Sequence, residues 1–184
     1  MKYIALPFTA IAILIVTNVI AWGGFFWSYH VFTHEDPILT LRFEETGERE
    51  YIAHIESPGS IRGEYQLYGD QWRIDSRFVK MKYWAHLLGA ESRYAIDRLQ
   101  GRYVDIQEEN NLPNIAHQLN SEGITHFTIF GWGPFIDTEY GSSTYQSIDI
   151  EKRFTVYKTP TGIMVRSEVI LPEIKGGWLN RLWQ

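Results

Sequence analysis

No cysteine occurs anywhere in the 184 residues. That excludes disulfides, thiolate metal centres and cysteine nucleophiles together, and permits an oxidising compartment without requiring one. Charge is absent from one long stretch: between Tyr3 and Tyr29 the chain holds no Asp, Glu, Lys or Arg. Catalytic signatures are missing as well. No phosphate-cradling glycine loop is present, and Gly141-Ser142-Ser143-Thr144 lacks the second glycine of a nucleophile elbow. There are no internal repeats and no low-complexity linker. An excess of basic residues is lacking too. With 22 Asp and Glu against 17 Lys and Arg the net charge is −5, which argues against nucleic acid or anionic lipid as the main partner of the whole chain.

The charge-free run is the most informative feature present. As a helix at ~1.5 Å per residue it spans about 40 Å, against roughly 30 Å of bilayer hydrocarbon. Lys2 precedes it, and His30, His34, Glu35 and Asp36 follow it. Basic charge on the short flank and acid beyond the far end predict an N-in, C-out helix. In a cell with two membranes this places the helix in the inner (cytoplasmic) membrane and the rest in the periplasm. Trp22, Phe25, Phe26, Trp27 and Tyr29 gather at the outer end, where amphipathic rings favour the headgroup level. The competing reading is a cleavable signal peptide, with Val19-Ile20-Ala21 as the cleavage pattern. The apolar stretch runs well past Ala21, so a retained anchor is favoured. Within it, Thr17, Asn18, Ala21 and Gly24 share one small, partly polar stripe, a docking face for another membrane helix. Alternatively, Asn18 bonds its own backbone.

Hydrophobic residues at 45% and aromatics at 15% are sufficient for one folded domain beyond the span. Leu39, Leu41 and Phe43 alternate with polar neighbours, and Tyr51, Ala53 and Ile55 do the same beyond a turn at Thr46-Gly47-Glu48, predicting a hairpin. Turns at Ser57-Pro58-Gly59-Ser60 and Gly69-Asp70 bound a strand over 62–68. The next strand, from Gln71, changes face near Val79 and Met81, which predicts a bulge. A strand follows over 93–103 with Gly101 as a kink or bulge, then a helix over 107–119, then an aromatic segment over 125–136. Strands over 144–150, 153–158 and 163–169 complete the pattern. The expected architecture is a single N-terminal transmembrane helix plus a mainly β domain, an antiparallel sandwich or open barrel, with one or two short helices. The segments are 1–34 for the anchor, 35–172 for the domain and 173–184 for a Trp-rich interfacial tail. In that tail Trp178 and Trp183 join Trp22 and Trp27 as membrane-interface anchors.

Candidate chemistry is sparse. His30 and His34 have helical metal-ligand spacing but lack the glutamate of a zincin motif and a third ligand. His54, His86, His117 and His126 have no ligand spacing. Asp137 and Glu139 stand beside hydroxyls, but two acids two residues apart in a turn are ordinarily solvated, so a hydrolase is the least favoured reading. Arg93, Arg98 and Arg102, with Asp75, Arg77 and Asp97, form the densest charge constellation. Cross-strand Asp–Arg pairing explains it structurally, and an anionic-ligand or partner site built on arginine forks is the functional alternative.

The ordered segments Pro37–Glu44 (PILTLRFE), Gly69–Lys80 (GDQWRIDSRFVK), Leu87–Arg93 (LLGAESR), Tyr94–Tyr103 (YAIDRLQGRY) and Tyr140–Tyr145 (YGSSTY) resemble a family of proteobacterial membrane proteins. Its members often carry the label "multidrug transporter" or "cation/multidrug efflux pump". The likeness covers 37–165 and implies no catalytic residues. Family members often have two N-terminal spans joined by a basic loop, so the one here corresponds to their second; the Trp-containing tail is not a family feature. A single helix encloses no substrate path, and this one has no charged stripe to line a pore. The expectation is a non-catalytic accessory or assembly subunit, without cofactor or metal, whose partners are the bilayer and another integral membrane protein. The alternative is a periplasmic domain that binds or senses an anionic small molecule or envelope glycan through Arg93, Arg98 or Arg102 and the aromatic segment over 125–140.

Overall fold

A computed structural model describes residues 2–58, 62–119 and 133–170, with side chains from Pro7 onward. The apolar run folds as one helix, α1 (Lys2–Thr33), and Pro7–Thr33 is long and apolar enough to cross a membrane. Pro7 lies in its second turn and offers no N–H to the Tyr3 carbonyl. His34 and Glu35 alone separate α1 from the first strand.

The strands are β1 (Asp36–Gly47), β2 (Glu50–Glu56), β3 (Arg62–Tyr68), β4 (Gln71–Met81), β5 (Arg93–Arg102), β6 (Ala116–Gln118), β7 (Ile136–Ser147), β8 (Lys152–Thr159) and β9 (Gly162–Val169). They build two antiparallel sheets, ordered β3-β2-β1-β8-β9 and β6-β5-β4-β7. Inward residues of both sheets share one core. Leu39, Leu41, Phe43, Ile55, Leu67, Phe154 and Val156 from the first meet Trp72, Ile74, Ile96 and Leu99 from the second. The expected mainly β sandwich is therefore what forms. Phe43, Trp72 and Phe154 interlock at its centre, with ring centroids 5.4–6.0 Å apart. Tilted and edge-on contacts of this kind add to the area that the rings bury.

The strands depart from the sequence reading in ways that have causes. β4 does shift register against β7 between Lys80 and Met81, near the expected bulge. A second shift lies between Asp75 and Ser76, where Asp97 is the extra residue on β5. Alternation along β4 hid it, because the insertion is on the neighbouring strand. Gly101 is no bulge: it pairs regularly with Trp72, and what it provides is room. A Cβ there would stand 1.8 Å from the Tyr68 carbonyl oxygen, where β3 of one sheet comes against β5 of the other.

The helix expected over 107–119 is only α3 (Ile106–Asn111). Asp105 caps it, accepting hydrogen bonds from the Gln107 and Glu108 amides at 2.8 and 3.1 Å. Pro113 ends it, because the residue before a proline is driven to extended backbone, and Leu112 has ψ 159°. The chain then continues as edge strand β6. The stretch read as an acidic, hydroxyl-rich turn, Asp137–Tyr145, is instead the body of β7, paired along β4. An unexpected helix, α2 (Tyr83–Leu87), fills the β4–β5 connection.

Candidate functional site: a cleft where the helix meets the sandwich

The last turns of α1, helix α2 and the β8–β9 turn meet at one pole of the sandwich. Trp27 of α1 donates its indole N–H to the Leu87 carbonyl at 3.1 Å. The Phe32 ring packs edge-on against Tyr83 and His86, with centroids 5.7 and 6.3 Å away. Next to Phe32 the two-residue link is fixed by ion pairs. Glu35 takes a bidentate pair from Arg166 at 2.8 and 3.0 Å. Asp36 binds His34 on one oxygen and Lys158 on the other, both at 2.8 Å, and Lys158 reaches Glu91 at 2.8 Å. Burial opposes the charge on Lys158, but the hydrogen bonds from Asp36 and Glu91 outweigh it and raise its pKa. Burial acts against Asp36 as well, and the Lys158 and His34 contacts outweigh it, leaving the carboxyl below its ordinary range.

These elements enclose a cleft of about 700 Å³. Its apolar wall is Phe32, Tyr83, Ile163 and Met164, and its polar groups are His34, Glu35, Lys80, His86 and Ser142. Lys80 is held at 2.9 Å by Asp137 and lies 4.8 Å from the Tyr83 ring centroid; the Asp137 hydrogen bond raises its pKa. The volume is in the range of small-molecule sites, but the cleft is open to solvent and its lining mixes apolar with charged and hydroxyl side chains. The charges around it are already paired, so it does not act as a bare cationic trap.

One Ser–His contact lies at the back. Ser92 Oγ is 3.2 Å from His86 Nε2 and donates its proton to the Pro160 carbonyl at 2.9 Å. With its proton on that carbonyl, the hydroxyl meets the imidazole only through its lone pairs. Ser92 is 3% and His86 5% exposed. Burial holds the imidazole pKa below its ordinary value, and the nearby lysines Lys80 and Lys158 add to the shift. The pair is a buried brace rather than a nucleophile with its base.

Apart from His34 in the cleft lining and Trp27 at the joint, the residues singled out by sequence lie in other parts of the structure. Thr17 donates to the Ile13 carbonyl at 2.7 Å and Asn18 to Leu14 at 2.9 Å, so both polar groups of the stripe bond their own helix. A Cβ on Gly24 would meet nothing within 4 Å, which leaves that flank open. Trp22 is exposed and stacked on Phe26 at 5.9 Å, and Trp27 is the exposed ring bonded to α2. Arg98 forks onto Asp75 at 3.0 and 3.1 Å, and Asp75 also accepts from Ser143 at 2.7 Å. Arg102 lies over the Tyr145 ring at 4.9 Å, and Arg93 stands exposed opposite Val79. None of the three arginines lines the cleft. Asp137 and Glu139 are both exposed, so no desolvated carboxylate pair forms. The His30 and His34 rings are 5.3 Å apart, and among the described residues no group of three His, Asp or Glu is placed to hold a metal. Trp178, Trp183 and the aromatic segment over 125–132 lie outside the described residues.

Sequence reasoning missed Lys80, Tyr83, His86 and Lys158. The available signal was Tyr83-Trp-Ala-His-Leu-Leu88 before Gly89, a short helical turn with its stop, in a region otherwise strand-like. No family model, no curated protein and no solved structure matches the chain. The family resemblance therefore stands on the five quoted segments alone.

Proposed function

We propose that this protein is a single-pass membrane protein whose β sandwich serves as a non-catalytic accessory or assembly subunit of a larger membrane complex. In this reading α1 crosses the inner membrane with its N-terminus in the cytoplasm, and the sandwich stands in the periplasm close against the bilayer. The observation that carries it is the joint. Two residues connect helix to strand, and the Trp27–Leu87 bond, the Phe32 ring contacts and the Glu35–Arg166 and Asp36–Lys158 pairs lock them. A domain that scavenges a ligand from solution works well on a loose tether. A domain that presents one fixed face to a neighbour in the same membrane needs a stiff mount, and this joint supplies one. The open Gly24 flank of α1 offers a neighbouring helix close backbone approach.

The cleft supports a second reading, binding or sensing of an anionic small molecule or envelope glycan, with Lys80 and His34 as its polar contacts in place of the arginine face. Native mass spectrometry after extraction in mild detergent separates the two. Stoichiometric co-extraction of another integral membrane protein is expected. A monodisperse monomer that retains a small molecule favours the second reading, and a bare monomer overturns both.

A further inference from the structure

We propose that α2 is a second membrane contact. Its exposed apolar side chains lie in the headgroup–acyl boundary of the same bilayer that α1 crosses, so the sandwich is seated on the membrane at two points. The inference rests on the anchor reading of α1.

Four apolar residues at one end of the domain are exposed among the described residues. Tyr83 is 59% and Leu88 77% exposed, with Trp84 and Leu87 exposed between them. Trp84 packs on Phe135 at 5.0 Å, which stiffens the patch without covering it. Isolated exposed apolar residues are ordinary, whereas a contiguous set on one tip marks an interaction surface. The geometry selects lipid as the occupant. Leu87 is hydrogen-bonded to Trp27 and Tyr83 touches Phe32, so the patch lies beside the last turns of α1. The charge-free run of the helix extends from Tyr3 to Tyr29. At ~1.5 Å per residue it spans about 40 Å, roughly 10 Å more than the hydrocarbon, so the excess occupies the interface. The last turns of the run, Gly23 to Tyr29, are that excess, and Leu87, bonded to Trp27, is at their level. The chemistry agrees. Tyr and Trp are the residues favoured at headgroup depth, leucine enters the upper acyl region, and α2 carries no acidic side chain. Lys82 directly precedes the helix, where a basic group is favoured near the phosphates, whereas Lys80 is taken by Asp137.

The absence of cysteine allows a direct test on the full chain. Leu88→Cys, Val16→Cys and Ile150→Cys are each labelled with an environment-sensitive fluorophore and reconstituted in phosphatidylcholine vesicles. Lipids bearing a nitroxide on the upper acyl chain serve as quenchers. All three side chains are exposed, so the substitutions leave the core intact. The expected result is blue-shifted, lipid-quenched emission at positions 16 and 88 and aqueous, unquenched emission at 150. Aqueous emission at 88 with a quenched probe at 16 overturns the second contact and leaves the anchor standing. Blue-shifted emission at 88 without lipid quenching means that protein covers the patch, and overturns it equally. An aqueous probe at 16 removes the anchor, and the inference with it.

Discussion

Gly101→Ala tests a close backbone approach between the two sheets. The added Cβ would lie 1.8 Å from the Tyr68 carbonyl oxygen, 2.8 Å from its carbon and 2.9 Å from its nitrogen. All three are backbone atoms, so no side chain can swing aside, and β3 and β5 must separate by more than an ångström. Gly101 faces Trp72, which is fully buried against Phe43 and Phe154, so the displacement loosens the centre of the core. Overpacking a well-packed site costs about 1–3 kcal/mol, and opening the core behind it brings the total to roughly 3–5 kcal/mol. For a chain of this size that lowers the melting temperature by about 10 °C or more. Gly89→Ala is the comparison. A Cβ at Gly89 meets nothing within 4 Å, but its φ of 89° is left-handed, so only a backbone cost of ~1–2 kcal/mol applies. Gly133→Ala, with open space and no such φ, is neutral. The assay is thermal unfolding of the full chain in micelles followed by near-ultraviolet circular dichroism, which reports the buried aromatic cluster. If Gly101→Ala melts no lower than Gly89→Ala, the close approach of β3 and β5 is wrong.

Two further predictions concern the joint. Trp27→Phe keeps the ring but removes the donor to Leu87, a loss of about 1 kcal/mol, so amide exchange at Leu88 and Ala90 accelerates roughly fivefold while the strands stay protected; unchanged exchange there disproves the brace. The joint is also acid-sensitive. His86 has a folded pKa below its unfolded value of 6.5, so the unfolded state binds the proton first, and stability falls as pH drops from 6.5 through the folded value. A second loss follows as Asp36, lowered from 3.8, protonates. His86→Gln removes the first step in a series of thermal melts against pH; a parent profile that is already flat below 6.5 counts against the assignment.

The parts of the fold that sequence made legible are those in which one chemical pattern dominates. The charge-free run could only be a helix, and Leu39/Leu41/Phe43 or Tyr51/Ala53/Ile55 could only be half-buried strands. β7 was obscure because its inward positions carry Tyr140, Ser142, Thr144 and Gln146, which pack through hydroxyl and amide contacts rather than apolar alternation. The candidate site was obscure for a different reason. Its groups come from positions 32–35, 80–86, 142 and 159–164, and only the return of β8 to β1 and of β7 to β4 brings them together. Local spacing holds no trace of such a meeting. The arginine triad shows the reverse case: dense along the chain, two of its members are drawn to separate partners, Arg98 to Asp75 and Arg102 to Tyr145.

The shortness of the link between α1 and β1 has a mechanical meaning. An α-helix advances about 100° per residue, so the number of residues in α1 sets the compass bearing of the sandwich around the membrane normal. One residue added or lost before His34 would swing the whole domain by more than a quarter turn. Shaft and head therefore rotate as one piece: in the proposed arrangement, a torque applied to α1 within the bilayer emerges outside it as a sweep of the β sheets.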